Sequence, residues 1–318
     1  MSPTPEDFSI TDRSESMTGA SLPPGLRFPT GAVLGNHLII AGTYLAHSYQ
    51  SFSVWALDLV SMTWSRIDAG TALTTGSWSR GCLWEDGAKF LIFGNRNGNL
   101  VEDYNRRLLS WDHVAYIDLE AFGIYQPPRL ALELHAQELG LAALEEQVLA
   151  DFEVVCDDGR KIKCSRKALE DRWPWFKQQR KVYLAAAARA LETLPASTSP
   201  DEPLPIRRPI VPEGISEIQQ DALEPRPDPR LTPRSFHLSE PYAITMALLQ
   251  YIYSLALITP LQHAPPVLSA LLLLSTTYKM PHLESLVKHA MHRALSPSSS
   301  VGVYEVATLC DCQSLQIR

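Results

Sequence analysis

The sequence predicts a multidomain chain: an all-β N-terminal region, then an α/β domain, then a short helical tail. Three observations carry this. Short β-prone runs separated by Gly, Asn and Asp clusters fill residues 29–125, a helical period replaces them over 129–149, and from Asp151 strand and helix patterns mix before the chain finishes in helices. At 318 residues there is room for about two domains, each with its own core.

Before the first strand, residues 1–28 are polar, rich in Ser, Thr, Pro and acids, and are expected to be disordered. Their opening, MSPTPEDFSITDRSES, has neither the basic start nor the apolar stretch of a signal peptide. Five cysteines in a chain of this length do not make a disulfide framework. A reducing, cytoplasmic location is expected, with the nucleus left open. The formal charge of -7 argues against nucleic acid as a partner, because counterion release needs a basic footprint. The greasiest run, Val267 to Leu274, falls far short of the roughly 20 apolar residues of a membrane span and reads as a buried helix.

The β region repeats. GNHLIIAG (35–42) leads to VWALDLVSMTW (54–64), and GAKFLIFG (87–94) leads to HVAYIDL (113–119), the spacing being 52 from Gly42 to Gly94 and 60 from Asp58 to Asp118. Such a period suits one four-stranded propeller blade per copy. A Gly ending an apolar strand permits close backbone approach, Asp58 can cap the following turn, and Trp64 can fill the space between sheets. On these residues the region resembles the kelch repeat, an apolar strand ending in Gly-Gly, then a strand ending in Asp, then Trp. Each copy keeps one Gly of the pair, and the second has no Trp at the matching place. The resemblance implies a partial β-propeller of about two blades. Propellers close with about four to eight, so a chain that is a fragment of a longer product is expected.

Residues 129–149 place Leu130, Leu134, Leu141, Leu144 and Val148 at helical spacing and predict a helix joining two domains. The next stretch, DFEVVCDDGRKIKCSRKALEDRWPWF, reads as strand, Gly159 turn, strand and helix. It resembles the opening of a BTB (POZ) domain: Asp151, Gly159, Leu169, Trp175 and Phe176 stand where that pattern has Asp, Gly, Leu, Tyr and Phe, and Ser165 stands where it has His. The resemblance resumes in SFHLSEPYAITMALLQYIYSLAL, with Tyr251 and Tyr253, and in the leucine run before Tyr278-Lys279-Met280-Pro281. Between them, ten of the 24 prolines fall from Pro195 to Pro233, so 190–233 holds neither a regular helix nor a central strand and reads as a solvated insertion. The BTB domain is thus expected over 150–295. Residues 296–318 resemble the first helices of the BACK-type extension.

Catalytic motifs are missing: there is no GxSxG, P-loop, GxGxxG, HExxH or EF-hand loop. No enzyme activity, cofactor or metal is expected. Cys310-x-Cys312 with His289 and His292 can be drawn as a zinc set or as ordinary core and surface residues. Cys156 and Cys164 can face each other across the Gly159 hairpin as a redox or metal pair, or act as small apolar fillers. The acids Glu145, Glu146, Asp157 and Asp158 read as solvated carboxylates, and Arg160, Lys161, Lys163, Arg166 and Lys167 as a charged domain face rather than a nucleic-acid arm. Trp173-Pro174-Trp175 is either an exposed hook or a partly buried helix end.

The order of kelch-like strands, BTB and BACK-like start resembles fungal kelch-BTB proteins linked to Ras signalling and the leucine-zipper-like regulator type of cullin-3 adaptor. That resemblance implies a non-catalytic adaptor that dimerises through its BTB domain and recruits a substrate to a cullin-3 ubiquitin ligase, with a small GTPase as the implied client. The hydrophobic-x-Glu signature of cullin-3 binders is not found, Glu240 lying too late in the pattern, so a signalling scaffold without a ligase stays beside it. Deleting residues 190–233 is expected to leave the second domain melting cooperatively in a calorimeter; lost cooperativity would place the insertion elsewhere.

Overall fold

A computed structural model of the chain describes residues 9–45, 50–84, 88–106, 111–193 and 233–318. It has two compact units, one made of Met1–Arg129 with Lys288–Arg318 and the other of Leu130–Val287.

In the first unit, β2 (Arg27–Leu34), β3 (His37–Leu45), β4 (Gln50–Asp58) and β5 (Thr63–Ile67) form an antiparallel meander, and β1 (Thr18–Gly19) adds to β5 in parallel. A second sheet holds β6 (Ser77–Trp84), β7 (Lys89–Asn95) and β8 (His113–Asp118), with α1 (Leu100–Asn105) between the last two. Side chains alternate along a strand, which sends Ile39, Ala41, Val54 and Ala56 into a core shared with Phe90, Ile92 and Ile117 of the second sheet. The same alternation sends Trp55, Leu57 and Trp64 to the other face, where Met17 and Leu26 from the stretch before β2 pack on them. Each such large side chain taken out of water contributes roughly 1.5–3 kcal/mol. Trp64 therefore fills the outer cluster and not the space between the sheets.

The C-terminal helices α8 (Ser300–Leu309) and α9 (Gln313–Gln316) belong to this same unit, α9 packing on the turn at Leu119–Phe122. The second unit begins with α2 (Leu134–Glu145). It continues through β9 (Phe152–Val155), β10 (Lys161–Cys164), α3 (Arg166–Arg172), α4 (Pro174–Thr193), β11 (Ser235–His237), α5 (Tyr242–Ser254) and α6 (Pro265–Thr277). The helix α7 (Pro281–Ala294) follows. Its sheet has the order β10-β9-β11, an antiparallel hairpin with β11 parallel to β9. The helix α2 packs on α5 through Gly140, where a Cβ would lie 2.2 Å from the Tyr253 carbonyl oxygen.

These findings correct the predicted fold class. The described residues form three small sheets, of five, three and three strands, and none closes into a propeller. The expected multidomain succession of partial β-propeller, BTB/POZ domain and BACK-like tail is not what forms. Its period was real but reported strand and turn spacing, which says nothing about ring closure. The tail is not a separate extension either, since it completes the unit that the N-terminal strands begin. Residues 18–19, within the stretch expected to be disordered, pair with β5. The EDG turn at 85–87 and most of the proline-rich insertion, 194–232, lie outside the described residues.

The two kinds of glycine that the sequence singled out differ physically. A Cβ on Gly94 would lie 2.2 Å from the Ser77 carbonyl oxygen and 2.8 Å from the Trp78 Cα, backbone that cannot yield. Gly159 sits at φ +78° in open space, so it needs glycine only for its dihedral angles. Gly94→Ala is expected to cost about 2–4 kcal/mol of stability and Gly159→Ala about 1 kcal/mol, read by urea denaturation; equal costs would show that β6 and β7 can separate.

Candidate functional site

The β9–β10 hairpin turns at Gly159, whose N–H donates to the Cys156 carbonyl (2.9 Å). Asp158 accepts from Arg160 Nε (2.9 Å) and terminal nitrogen (2.6 Å) and from the Tyr242 N–H (3.3 Å), and the guanidinium lies 4.2 Å from the Tyr242 ring centre. The Arg160 hydrogen bonds hold its carboxyl at about 2. This triad fixes the hairpin tip against the start of α5. Cys156 and Cys164 do not face each other: Cys164 pairs with Phe152 at the far end of the hairpin. Burial pushes the Cys164 thiol up to about 12 and the Cys156 thiol upward as well, so neither is a thiolate ready to attack or to ligate.

Ser165 caps α3 by accepting from the Ala168 N–H (3.5 Å). Its own N–H donates to the Tyr253 hydroxyl (2.6 Å), and the Arg166 N–H donates to Asp151 (2.8 Å). Arg172 donates to the carbonyls of Ile252 (3.1 Å) and Tyr253. Leu169 and Trp173 are fully buried. Trp173 stacks with Trp175 (5.6 Å) and Phe176 (5.7 Å), and Tyr278 meets both tryptophans edge-on or tilted (5.0 and 4.5 Å). Trp173 is the centre of an aromatic cluster, with Trp175 half-buried against it and Pro174 exposed, so the stretch is a partly buried helix end and not an exposed hook. Tyr251, also buried, has its hydroxyl 3.1 Å from His282 Nδ1 and is pushed up to about 12 by burial.

Four of the five basic residues of the run are paired within the unit: Arg160 with Asp158 (2.6 Å), Lys161 with Glu153 (3.3 Å), Arg166 with Asp151 (3.5 Å) and Lys167 with Asp171 (2.7 Å). Their field is cancelled locally, unlike a nucleic-acid footprint. Between the hairpin, α2 and α5 lies a groove of about 470 Å³. Leu141, Leu144, Ile162 and Met246 give it an apolar floor, and Glu145, Glu153, Lys161 and Lys163 a charged rim. Tyr242, Met246 and Gln250 also line it, at i, i+4 and i+8 of α5, one helical face. The sequence reading passed over these three, although their spacing and the fully buried Ala247–Leu249 beside them carried the signal.

The remaining candidates lie elsewhere. In the first unit, Asp58 accepts from the Val60 N–H (2.9 Å) and the Ser61 hydroxyl (2.9 Å); burial raises its carboxyl, but these bonds win and hold it below the usual carboxylate range. Gly42 sits inside β3 against Arg27 and Leu26, and Asp118 ends β8. His289 and His292 gather on Tyr125 and not with Cys310 and Cys312. The Tyr125 hydroxyl is 2.9 Å from His289 Nδ1, its ring lies 4.7 Å from that of His292, and the Cys312 Sγ is 3.4 Å from the Ser314 hydroxyl. Among the described residues no group of three or more His, Cys, Asp or Glu is placed to hold a metal.

No family model matches the chain. It is similar to Protein ral2 of Schizosaccharomyces pombe, 28% identical over 312 residues, which is 98% of this chain and 48% of the relative. The chain thus spans about half the length of the curated relative it matches.

His292 supplies a pH test. It is buried, and desolvation first, then the charges of Arg318, His289 and Lys288, lower it to about 4. A lowered histidine favours the folded state fully above its unfolded value of about 6.5, and that contribution is lost as pH falls toward 4. The loss is on the order of 3 kcal/mol. Denaturation curves at pH 7 and pH 4.5 are expected to show it, and His292→Gln to flatten the difference.

Proposed function

We propose that this chain is a non-catalytic protein-interaction adaptor in Ras-type small-GTPase signalling, and that the groove of the second unit receives a segment of its partner. The observation that carries the reading is the groove itself: an apolar floor beside a charged rim in which Lys161 and Glu153 neutralise each other, which suits an apolar partner side chain rather than a reacting substrate. At the hairpin beside the groove, the Cys156 and Cys164 thiols held protonated by burial and the Asp158 carboxylate tied to Arg160 support this reading. The placement in Ras-type signalling is supported by the similarity to Protein ral2, which extends over both units.

Docking on cullin-3 and dimerisation through a BTB domain are not part of this reading, because both rested on a fold that the sheets do not form. The test is calorimetric titration of the full chain with a Ras-type GTPase loaded with a GTP analogue. Micromolar binding is expected, and Met246→Glu is expected to weaken it at least about tenfold. No binding in either nucleotide state would overturn the GTPase, and binding indifferent to Met246→Glu would overturn the groove.

A further inference from the structure

The two sheets of the first unit are treated differently. The outer face of the first is covered by Met17 and Leu26. The outer face of the second has no such cover among the described residues, although it carries Trp84, Leu91, Phe93, Val114 and Tyr116. Cross-strand register sets its side chains in three rows: Arg80, Phe93 and Val114; Cys82, Leu91 and Tyr116; Trp84, Lys89 and Asp118. Trp111 lies against Phe93 (5.6 Å), and Lys89 Nζ stands 4.9 Å from the Tyr116 ring centre. Trp84 is 52% exposed, Trp111 46%, Val114 57% and Tyr116 63%. These four side chains alone leave on the order of 500 Å² of mostly apolar surface, near the largest patch a monomer tolerates and over half of the ~800 Å² per partner of a stable interface.

The charges say what fits. Arg80 and Asp118 stand at diagonally opposite corners of the face, and neither makes an ion pair among the described residues. A two-fold axis along the other diagonal sets Arg80 of each copy against Asp118 of the other, Tyr116 against the other copy's Phe93, and Leu91 against itself. Such an isologous contact is self-complementary, with the strands of the two sheets crossing at roughly right angles, a known sheet packing. The geometry points to a second copy of this chain as the occupant: the protein is a homodimer through the outer face of β6, β7 and β8.

The full chain is expected to sediment at twice 35.4 kDa at micromolar concentration. Arg80→Asp alone sets acid against acid twice, and Asp118→Arg alone sets base against base twice. Each is expected to weaken the dimer at least about tenfold. An equimolar mixture of the two variants restores both pairs, and a dimer containing one of each should reappear. A wild-type monomer, including one that binds some other protein through this face, would overturn the inference, as would a dimer indifferent to both substitutions. If Asp118→Arg unfolds the chain, Tyr116→Lys replaces it, dissociation supporting the inference and a retained dimer overturning it. Met246→Glu, in the other unit, should leave the dimer intact, so failure of the groove and failure of this face are told apart.

Discussion

The strands β3 and β4 are apolar on both faces, and the first unit is organised around that constraint. Ile39, Ala41, Val54 and Ala56 need cover on one side, Leu38, Ile40, Trp55 and Leu57 on the other. A sheet of this kind cannot stand with one side in water, as an ordinary antiparallel meander can. One face is covered by the second sheet, and the other by a short segment held in place through β1. Once both faces are occupied, the register of β2, β5 and β6 has little freedom, because a slip of one residue would exchange the two sets.

In the second unit the organising contact is between backbone and side chain. The Tyr253 hydroxyl accepts from Ser165, and Arg172 donates to the end of α5, so the hairpin, α3 and α5 are tied at one point. The hairpin tip is tied at a second point through Asp158, Arg160 and Tyr242. The groove lies between these two ties, and its walls are therefore set by hydrogen bonds as well as by packing. That is the kind of support a binding site needs to be preformed.

Local features were legible in the sequence because they are written locally. The Gly159 turn, the strands on either side of it, the burial of Leu169 and Phe176 and the Asp58 cap each depend on residues a few positions apart. What could not be read was association at long range. The spacing of Gly42 and Gly94 reported a repeated strand pattern, but whether sheets stack in pairs or close in a ring depends on what covers their outer faces. Cys156 and Cys164 looked like partners because the turn between them is short, yet register places them at opposite ends of the hairpin. The groove was missed for a related reason: Leu141, Ile162 and Met246 are about 20 and 80 residues apart and meet only after α2 packs on α5 through Gly140.

The contact of Tyr125 with His289 spans 164 residues, and it bears on the order in which the chain acquires structure during synthesis. Residues 130–287 are contiguous, so their unit can form as soon as it has emerged from the ribosome, as domains generally do. The other unit cannot. Its strands emerge before residues 130–287 and the helices that complete it after them, so the entropic cost of joining the distant segments is met only then. While residues 130–287 are being made, the early sheets must persist without Tyr125 meeting its histidines, and with strand edges and apolar faces open to neighbouring nascent chains.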